Sequence, residues 1–122
     1  MGKILETAQH TAQGTQHHSV AVVAMTRNGV NLALQIQARL PGSICYVPRR
    51  HRFALDLGAV GFDRLREVVP LLWHQYRHLV FIMATGIVVR QIAALLNHKS
   101  IDPAVVVLDE RGKYAISLVS GH

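Results

Sequence analysis

The chain is poor in cysteine and in long apolar runs, and these shortages exclude several classes of protein. Its single cysteine, Cys45, leaves no partner for an internal disulfide, which suits a reducing cytoplasm. No apolar run reaches the roughly 18 residues of a membrane span, and residues 1–18 lack the apolar centre of a signal peptide. Neither a G-x-G-x-x-G fingerprint nor a P-loop lysine motif occurs. We therefore predict a cytoplasmic domain that uses no membrane and no cofactor.

Acidic residues are also scarce, because 7 Asp and Glu stand against 13 Lys and Arg, for a net charge of +6. Such an excess favours an anionic partner: nucleic acid, phosphates or a small molecule with several carboxylates. A surplus that only aids solubility is the alternative. The densest basic segment, "PRRHR" (48–52), lies between Tyr46 and Phe53. No RNA-binding signature accompanies it, so we do not expect a nucleic-acid partner.

The histidines do not predict a metal site. His10, His17 and His18 lie in residues 1–18, a Gln- and Thr-rich segment without periodicity that we interpret as a flexible tail, and they have no carboxylate or thiolate nearby. His74 and His78 have the i, i+4 spacing of helical zinc ligands. The second of these, however, begins a predicted strand, so we expect no metal.

What the chain does contain is an alternation of valine-rich and amphipathic segments. Apolar runs at 19–25, 43–47, 78–84, 103–109 and 113–119 predict five strands. A 3.6-residue apolar spacing predicts helices at 26–40, 63–76 and 86–97. We expect Asp63 to cap the second helix, Pro70 to kink or split it, and the third helix to be well buried. Residues 48–62 show no clear period and are interpreted as a loop.

This order of elements predicts an α/β fold. The tight turn "DERG" (109–112) makes the last two strands antiparallel, whereas the other strands alternate with helices and should be parallel. We expect one domain at 19–122: a mostly parallel five-stranded sheet in a flavodoxin- or Rossmann-like three-layer sandwich, with strand order 2-1-3-4-5 and a C-terminal antiparallel hairpin.

The stretch "FIMATGIVVR" (81–90) predicts a binding site at a strand-to-helix junction. Thr85 can cap the third helix, and Gly86 allows another group to approach the backbone closely. The first amides of a helix are unpaired and attract anions. Arg90 lies one turn further on and can grip a carboxylate through two parallel bonds. The alternative is an ordinary Thr-Gly cap with a solvated arginine.

A second junction should lie beside the first. Strand one is followed by "TRNG", which offers Thr26 and Asn28. In a parallel sheet both junctions are at the carboxyl edge, and ligands bind where the strand order reverses. Asp109 follows strand four and should share that edge, and the basic segment 48–52 can reach it.

The chain ends in "VSGH", where Ser120 and His122 supply a hydroxyl and a base. A serine nucleophile needs such a base within hydrogen-bond reach. Because the last strand is predicted to be antiparallel, this motif should emerge at the edge opposite Thr85. Cys45 lies within an apolar strand and is interpreted as an ordinary buried thiol.

Three contiguous pieces, "FIMATGIVVR", "DPAVVVLDERG" and "ISLVSGH", resemble the N-terminal region of the cobalt-precorrin-5A hydrolase (CbiG) family of cobalamin biosynthesis. The resemblance is close over 81–122 and looser over 19–80. It implies an enzyme that opens the ring A lactone of a cobalt corrinoid and releases acetaldehyde. Such a substrate carries many carboxylates, which agrees with the positive charge.

The resemblance also implies which residues form the site. Thr85, Gly86, Arg90, Ser120, Gly121 and His122 fall on the family's motif positions. Among these, His122 and Ser120 are the catalytic candidates, while Gly121 joins the substrate-binding group. Water attack on a lactone needs a base and an oxyanion-stabilising group, for which His122 and the amides after Thr85 are candidates.

The family implies partners as well. Its members usually continue past "SGH" with further domains, so we expect the chain to be an N-terminal fragment that works with the missing C-terminal domains. A non-catalytic corrinoid-binding or domain-assembly module is the alternative function. An unpaired edge strand or the apolar third helix leaves a homodimer open.

Overall fold

The computed structural model describes residues 20–97 and 101–120, which form one mostly parallel sheet with helices on both faces. The predicted tail at residues 1–18 lies outside the described residues. The strands are β1 (Val20–Ala24), β2 (Ser43–Pro48), β3 (Val60–Phe62), β4 (His78–Ile82), β5 (Ala104–Leu108) and β6 (Ala115–Val119). The helices are α1 (Arg27–Arg39), α2 (Arg52–Asp56), α3 (Leu65–Gln75) and α4 (Thr85–Ile92).

The sheet order is β3-β2-β1-β4-β5-β6, and only the β5–β6 pair is antiparallel. The predicted order and the antiparallel hairpin are therefore confirmed, with one further strand outside β2. The order reverses between β1 and β4, which pair directly from Val20–His78 to Ala24–Ile82. This pairing places the ends of β1 and β4 side by side at the carboxyl edge.

Two apolar clusters fill the space between the sheet and its helices. Alternate β1 residues point to opposite faces: Val20 and Val22 belong to the cluster under α1, whereas Ala21 and Val23 belong to the cluster under α3 and α4. All of β1 is buried because both faces of the central strand are covered. The sheet is thus the middle layer of a three-layer sandwich, as predicted.

The prediction of a loop at 48–62 is wrong. This segment contains α2, of five residues, and β3, of three residues, which pairs in parallel with β2 from Tyr46–Val60 to Pro48–Phe62. Both elements are too short to repeat a 3.6- or 2-residue period. Across the described residues, the sheet therefore has six strands rather than five.

The cap predicted for the second helix is wrong, and of the two effects expected from Pro70, a kink or a split, the split does not occur. The first helical residue is Leu65, so Arg64 rather than Asp63 is the N-cap, and the Arg64 side chain makes no capping bond. Asp63 instead accepts a bond from Arg49 Nε at 2.8 Å. Pro70 does not split α3, which runs continuously from Leu65 to Gln75. Proline removes one helical donor, and the buried residues Val69 and Leu72 beside it keep the helix on the sheet.

The third predicted helix is shorter and more exposed than expected. It ends at Ile92, and only Val88 and Ile92 are buried. Ile87 and Val89 face away from the core and are exposed. An apolar composition predicts burial only if a second surface covers the outer side of the helix. None of the helices within residues 20–97 and 101–120 has the length and apolar character needed to cross a membrane.

Candidate functional site

The first junction at the carboxyl edge is the start of α1. Thr26 is the N-cap of this helix, and its hydroxyl accepts a bond from the Gly29 amide at 3.1 Å. A Cβ on Gly29 would stand 3.2 Å from Thr26 Oγ1 and 3.4 Å from the Ile82 side chain. Glycine at this position therefore lets α1 begin close to the end of β4. Asn28 is exposed in the first turn.

The basic segment 48–52 reaches the same edge. The Met25 carbonyl oxygen, at the end of β1, accepts a bond from Arg50 Nη2 at 3.0 Å and lies 3.0 Å from His51 Nε2. Arg49 instead pairs with Asp63 through its guanidinium at the exposed surface. The two contacts to Met25 fix the basic segment beside the first junction, where the sequence predicted that it could lie.

Another arginine at this edge is held against an aromatic ring. The Arg27 guanidinium lies 5.3 Å from the centroid of the Phe53 ring, a cation–π contact. Arg27 begins α1 and Phe53 belongs to α2, so the contact joins the two helices on this face of the sheet. Cationic groups from α1 and from the basic segment therefore lie near the end of β1.

The second junction is the start of α4, and it differs from the prediction by one residue. Ala84 is the N-cap, with an extended backbone, and its carbonyl accepts the first bonds of the helix. Thr85 is therefore the first helical residue and does not cap the helix. Within residues 20–97 and 101–120, no side chain caps α4, so the amides of Thr85 and Gly86, which precede the first helical bond at Ile87, face the carboxyl edge without an acceptor.

The surroundings of this uncapped end are open. A Cβ on Gly86 would meet nothing within 4 Å, so glycine leaves room at the backbone. Arg90 is exposed on the same face, one turn further on, and makes no ion pair with another described residue. Helical side chains tilt toward the amino end. Arg90 can therefore extend toward the amides that precede it.

The turn between β5 and β6 brings acidic groups to the same edge. Asp109 accepts bonds from the Tyr114 amide at 2.7 Å and the Arg111 amide at 3.3 Å. These backbone bonds, that of Tyr114 first, lower the pKa of Asp109. Glu110 accepts a bond from the Thr26 hydroxyl. Asp109 is therefore engaged in its own turn, whereas Glu110 links this turn to α1.

Ser120 lies at the opposite edge of the sheet. It follows β6 and lines a cavity of about 710 Å³ together with His74, Arg77, His78 and Asp102. The amino and carboxyl edges of a five-residue strand are about 13 Å apart. Ser120 and the α4 junction are thus separated by the length of β5. Gly121 and His122 lie outside the described residues, so their predicted roles stay predictions.

The remaining candidates are structural. Cys45 is fully buried, its thiol donates to the Ala33 carbonyl at 3.1 Å, and burial raises its pKa to about 12. It is therefore not an activated nucleophile. His74 belongs to α3 and His78 begins β4. Within the part of the chain that the structure describes, no three His, Cys, Asp or Glu residues are grouped to hold a metal.

Sequence reasoning missed the contact of Glu110 with Thr26. The two residues are 84 positions apart, and only the pairing of β1, β4 and β5 brings them together. The predicted proximity of strand ends at one edge was the only available signal. The structure therefore adds a carboxylate to the first junction, and the Thr26 hydroxyl already serves two internal partners.

Comparison with known proteins shows which sequences this chain resembles. The profile of a family described as "Cobalamin synthesis G N-terminal" matches residues 67–122. The cobalt-precorrin-5A hydrolase of Salmonella typhimurium is 43% identical over 105 residues, which cover 85% of this chain and 29% of that protein. The enzyme of the same name from Priestia megaterium is 35% identical over 116 residues, covering 88% and 30%. Residues 67–122 thus match the cobalamin synthesis G N-terminal family, and most of the chain is similar to two cobalt-precorrin-5A hydrolases.

A solved structure supports the fold assignment. A crystal structure of a cobalamin biosynthesis protein G homologue from Sulfolobus solfataricus matches with a TM-score of 0.60 and 20% identity, covering 85% of this chain and 30% of that one. The cobalamin synthesis G match at 67–122 contains β4, α4 and the β5–β6 hairpin. The chain spans 29% and 30% of the lengths of the two curated relatives.

Proposed function

We propose that this chain forms the N-terminal part of a cobalt-precorrin-5A hydrolase, which opens the ring A lactone of a cobalt corrinoid and releases acetaldehyde in cobalamin biosynthesis. The observation that carries the proposal is the 43% identity to the Salmonella typhimurium enzyme over 85% of this chain. Because the chain spans 29% of that relative, the complete reaction belongs to the larger enzyme. This chain contributes one part of the site.

That part is a carboxylate-binding corner at the start of α4. The uncapped amides there carry partial positive charge, Gly86 leaves the backbone open, and Arg90 adds a guanidinium one turn on. Thr26, by contrast, already bonds to Glu110. The α4 corner is therefore the main site for substrate carboxylates, with Thr85 and Asn28 contributing polar groups at its border.

The chemistry divides between this corner and another part of the enzyme. In lactone opening, water adds to the carbonyl carbon, the carbon–oxygen ring bond breaks, and the ring oxygen takes a proton. Amides at the start of α4 can stabilise the negative oxygen of the intermediate. Ser120 lies at the opposite edge of the sheet, so at least the length of a five-residue strand, about 13 Å, separates it from this corner. We assign the base for the water to His122, which lies outside the described residues, or to a residue in the remainder of the enzyme.

The second candidate function is a non-catalytic module that binds the corrinoid or assembles the enzyme. The separation of Ser120 from the α4 junction by the whole of β5 favours it, because one simple pocket does not contain both motifs. This reading keeps the carboxylate-binding role of α4 but assigns every chemical step to the following polypeptide. The two functions differ in whether the α4 amides act on the reacting lactone.

The test is a chimera that replaces the matching region of the Salmonella typhimurium enzyme with this chain. We expect the chimera to release acetaldehyde from cobalt-precorrin-5A. Replacing Arg90 with Met removes a charged hydrogen-bond donor, so kcat/KM should fall roughly 10- to 100-fold. Arg77→Met is the matched control, because it removes the same charge at the opposite edge.

The two kinetic constants separate the candidate functions. A rise in KM alone for Arg90→Met indicates binding without a share in the chemical step, whereas a fall in kcat indicates stabilisation of the transition state. A folded chimera that releases no acetaldehyde, beside an active Salmonella enzyme, contradicts the hydrolase proposal. Equal effects of Arg90→Met and Arg77→Met contradict the α4 corner.

A further inference from the structure

The two edges of the sheet are built differently. β6, at one edge, has the sequence AISLV, with no charge and no proline, and its first three residues are exposed. An edge strand presents a row of backbone donors and acceptors that can pair with another chain. Soluble proteins protect such edges with charges, bulges or short strands. The outer side of β6 has no strand partner among the described residues.

The opposite edge shows that protection. β3 has only three residues, and it is followed directly by Asp63 and Arg64. The Arg49 side chain lies against it, with Cγ 2.9 Å from where a Cβ on Gly61 would stand. The Arg49 amide also donates to the Phe62 carbonyl at 3.1 Å. β3 is therefore a short edge bordered by charges.

Large apolar side chains accompany the unprotected edge. Tyr114, just before β6, is 73% exposed, and Ile116, within it, is 48% exposed. Ile116 pairs with Val107, which belongs to the cluster under α3 and α4, so both point to that face of the sheet. Exposed apolar groups beside an open strand edge mark an interaction surface. We call residues 114–119 the β6 edge.

We propose that the β6 edge is where a strand from the remainder of the hydrolase polypeptide adds to this sheet. The inference rests on the proposed function for the identity of that partner. More than two thirds of each curated relative lies outside the segment that matches this chain. The matching family profile is that of an N-terminal region, so most of the remainder follows β6 in sequence. Each molecule of the complete enzyme would therefore supply one such remainder for its single β6 edge.

Charge argues against a second copy of this chain as the partner. Each copy carries a net charge of +6, and β6 begins shortly after Arg111 and Lys113. Two copies that each carry this net charge repel one another, which favours the monomer over self-association. A different segment of the same enzyme pairs with the strand without that repulsion.

Amide hydrogen exchange tests the proposal without any substrate. It compares the 122-residue chain alone with the chimera that carries the remainder of the Salmonella typhimurium enzyme. We expect the outward-facing amides of residues 115–119, which alternate with those bonded to β5, to exchange at least about tenfold more slowly in the chimera. The amides of β3 should exchange equally in both. Equal exchange of residues 115–119 in both proteins overturns the proposal, whatever the acetaldehyde assay shows.

Two matched substitutions add a second readout. Ile116→Lys places a charge on the β6 edge, and Val60→Lys places one on β3, where the side chain is similarly exposed at 44%. Ile116→Lys should remove the exchange protection in the chimera, and Val60→Lys should leave it. The chain alone should sediment as a monomer. A dimer that Ile116→Lys dissociates and Val60→Lys leaves intact would assign the edge to a second copy and overturn the proposal.

Discussion

Replacing Thr26 with alanine should destabilise the fold through two separate contacts. The hydroxyl accepts from the Gly29 amide as the N-cap of α1, and it donates to Glu110 in the turn between β5 and β6. Alanine has no hydroxyl and can form neither of these two hydrogen bonds. The first contact holds one end of a 13-residue helix, and the second connects that helix to the far half of the sheet. Serine keeps the hydroxyl and serves as the matched control.

The magnitude follows from these two bonds. Loss of a threonine N-cap costs about 1 kcal/mol, and an exposed bond to a carboxylate contributes roughly 0.5 kcal/mol. The free energy of unfolding should therefore fall by about 1.5 kcal/mol. For a domain of this size, the melting temperature should fall by about 7 °C. Thr26→Ser should stay within about 0.5 kcal/mol of the original chain.

Urea unfolding followed by circular dichroism measures these free energies. A double-mutant cycle with Glu110→Ala isolates the second bond, and its coupling energy should be about 0.5 kcal/mol. Equal stability of the alanine and serine variants would refute the capping argument. A coupling energy of zero would leave the cap but refute the link between the turn and α1.

Two further predictions concern titratable groups whose pKa is shifted by burial. Burial first, and the charge of Arg77 second, lower the pKa of His78 below its ordinary value of 6.5, so the unfolded chain binds the proton more tightly. The contribution of His78 to the free energy of unfolding is therefore complete above pH 6.5 and is lost as the pH falls through the lower folded pKa. In urea unfolding, His78→Gln should lose less stability over this pH range than the original chain. An unchanged loss would contradict this prediction. Cys45, with a pKa of about 12 and no exposed surface, should resist a thiol reagent at pH 8 in the folded chain. It should react once in denaturant, and fast labelling of the folded chain would disprove its burial.

The sequence was sufficient for the parts of the fold that repeat a strong pattern. The valine-rich runs predicted five of the six strands, and their alternation with helices predicted the parallel order. β3 and α2 were missed because three and five residues do not complete a recognisable period. The burial of α4 was overestimated, since the apolar character of Ile87 and Val89 does not say which surface covers them.

The candidate site was predictable to the level of topology. Parallel strands bring their carboxyl ends together, so the grouping of the Thr26 and Thr85 junctions followed from the strand order alone. The cap of α4 was misplaced by one residue because cap position depends on backbone angles at Ala84. The Glu110 contact needed the three-dimensional path of the chain. The residues around Thr26 in the sequence do not indicate that its hydroxyl bonds to a residue 84 positions away.

The central position of β1 has a consequence for synthesis of the protein. Among the described strands, the first to be translated is β1, which pairs with both β2 and β4, and its β4 partner is translated much later. Until β4 has been synthesised, the apolar strand VAVVA of the nascent chain lacks one of its two neighbouring strands. We expect the growing polypeptide to depend on chaperone shielding during this interval, and the domain to close in a single late step once residues 78–82 leave the exit tunnel.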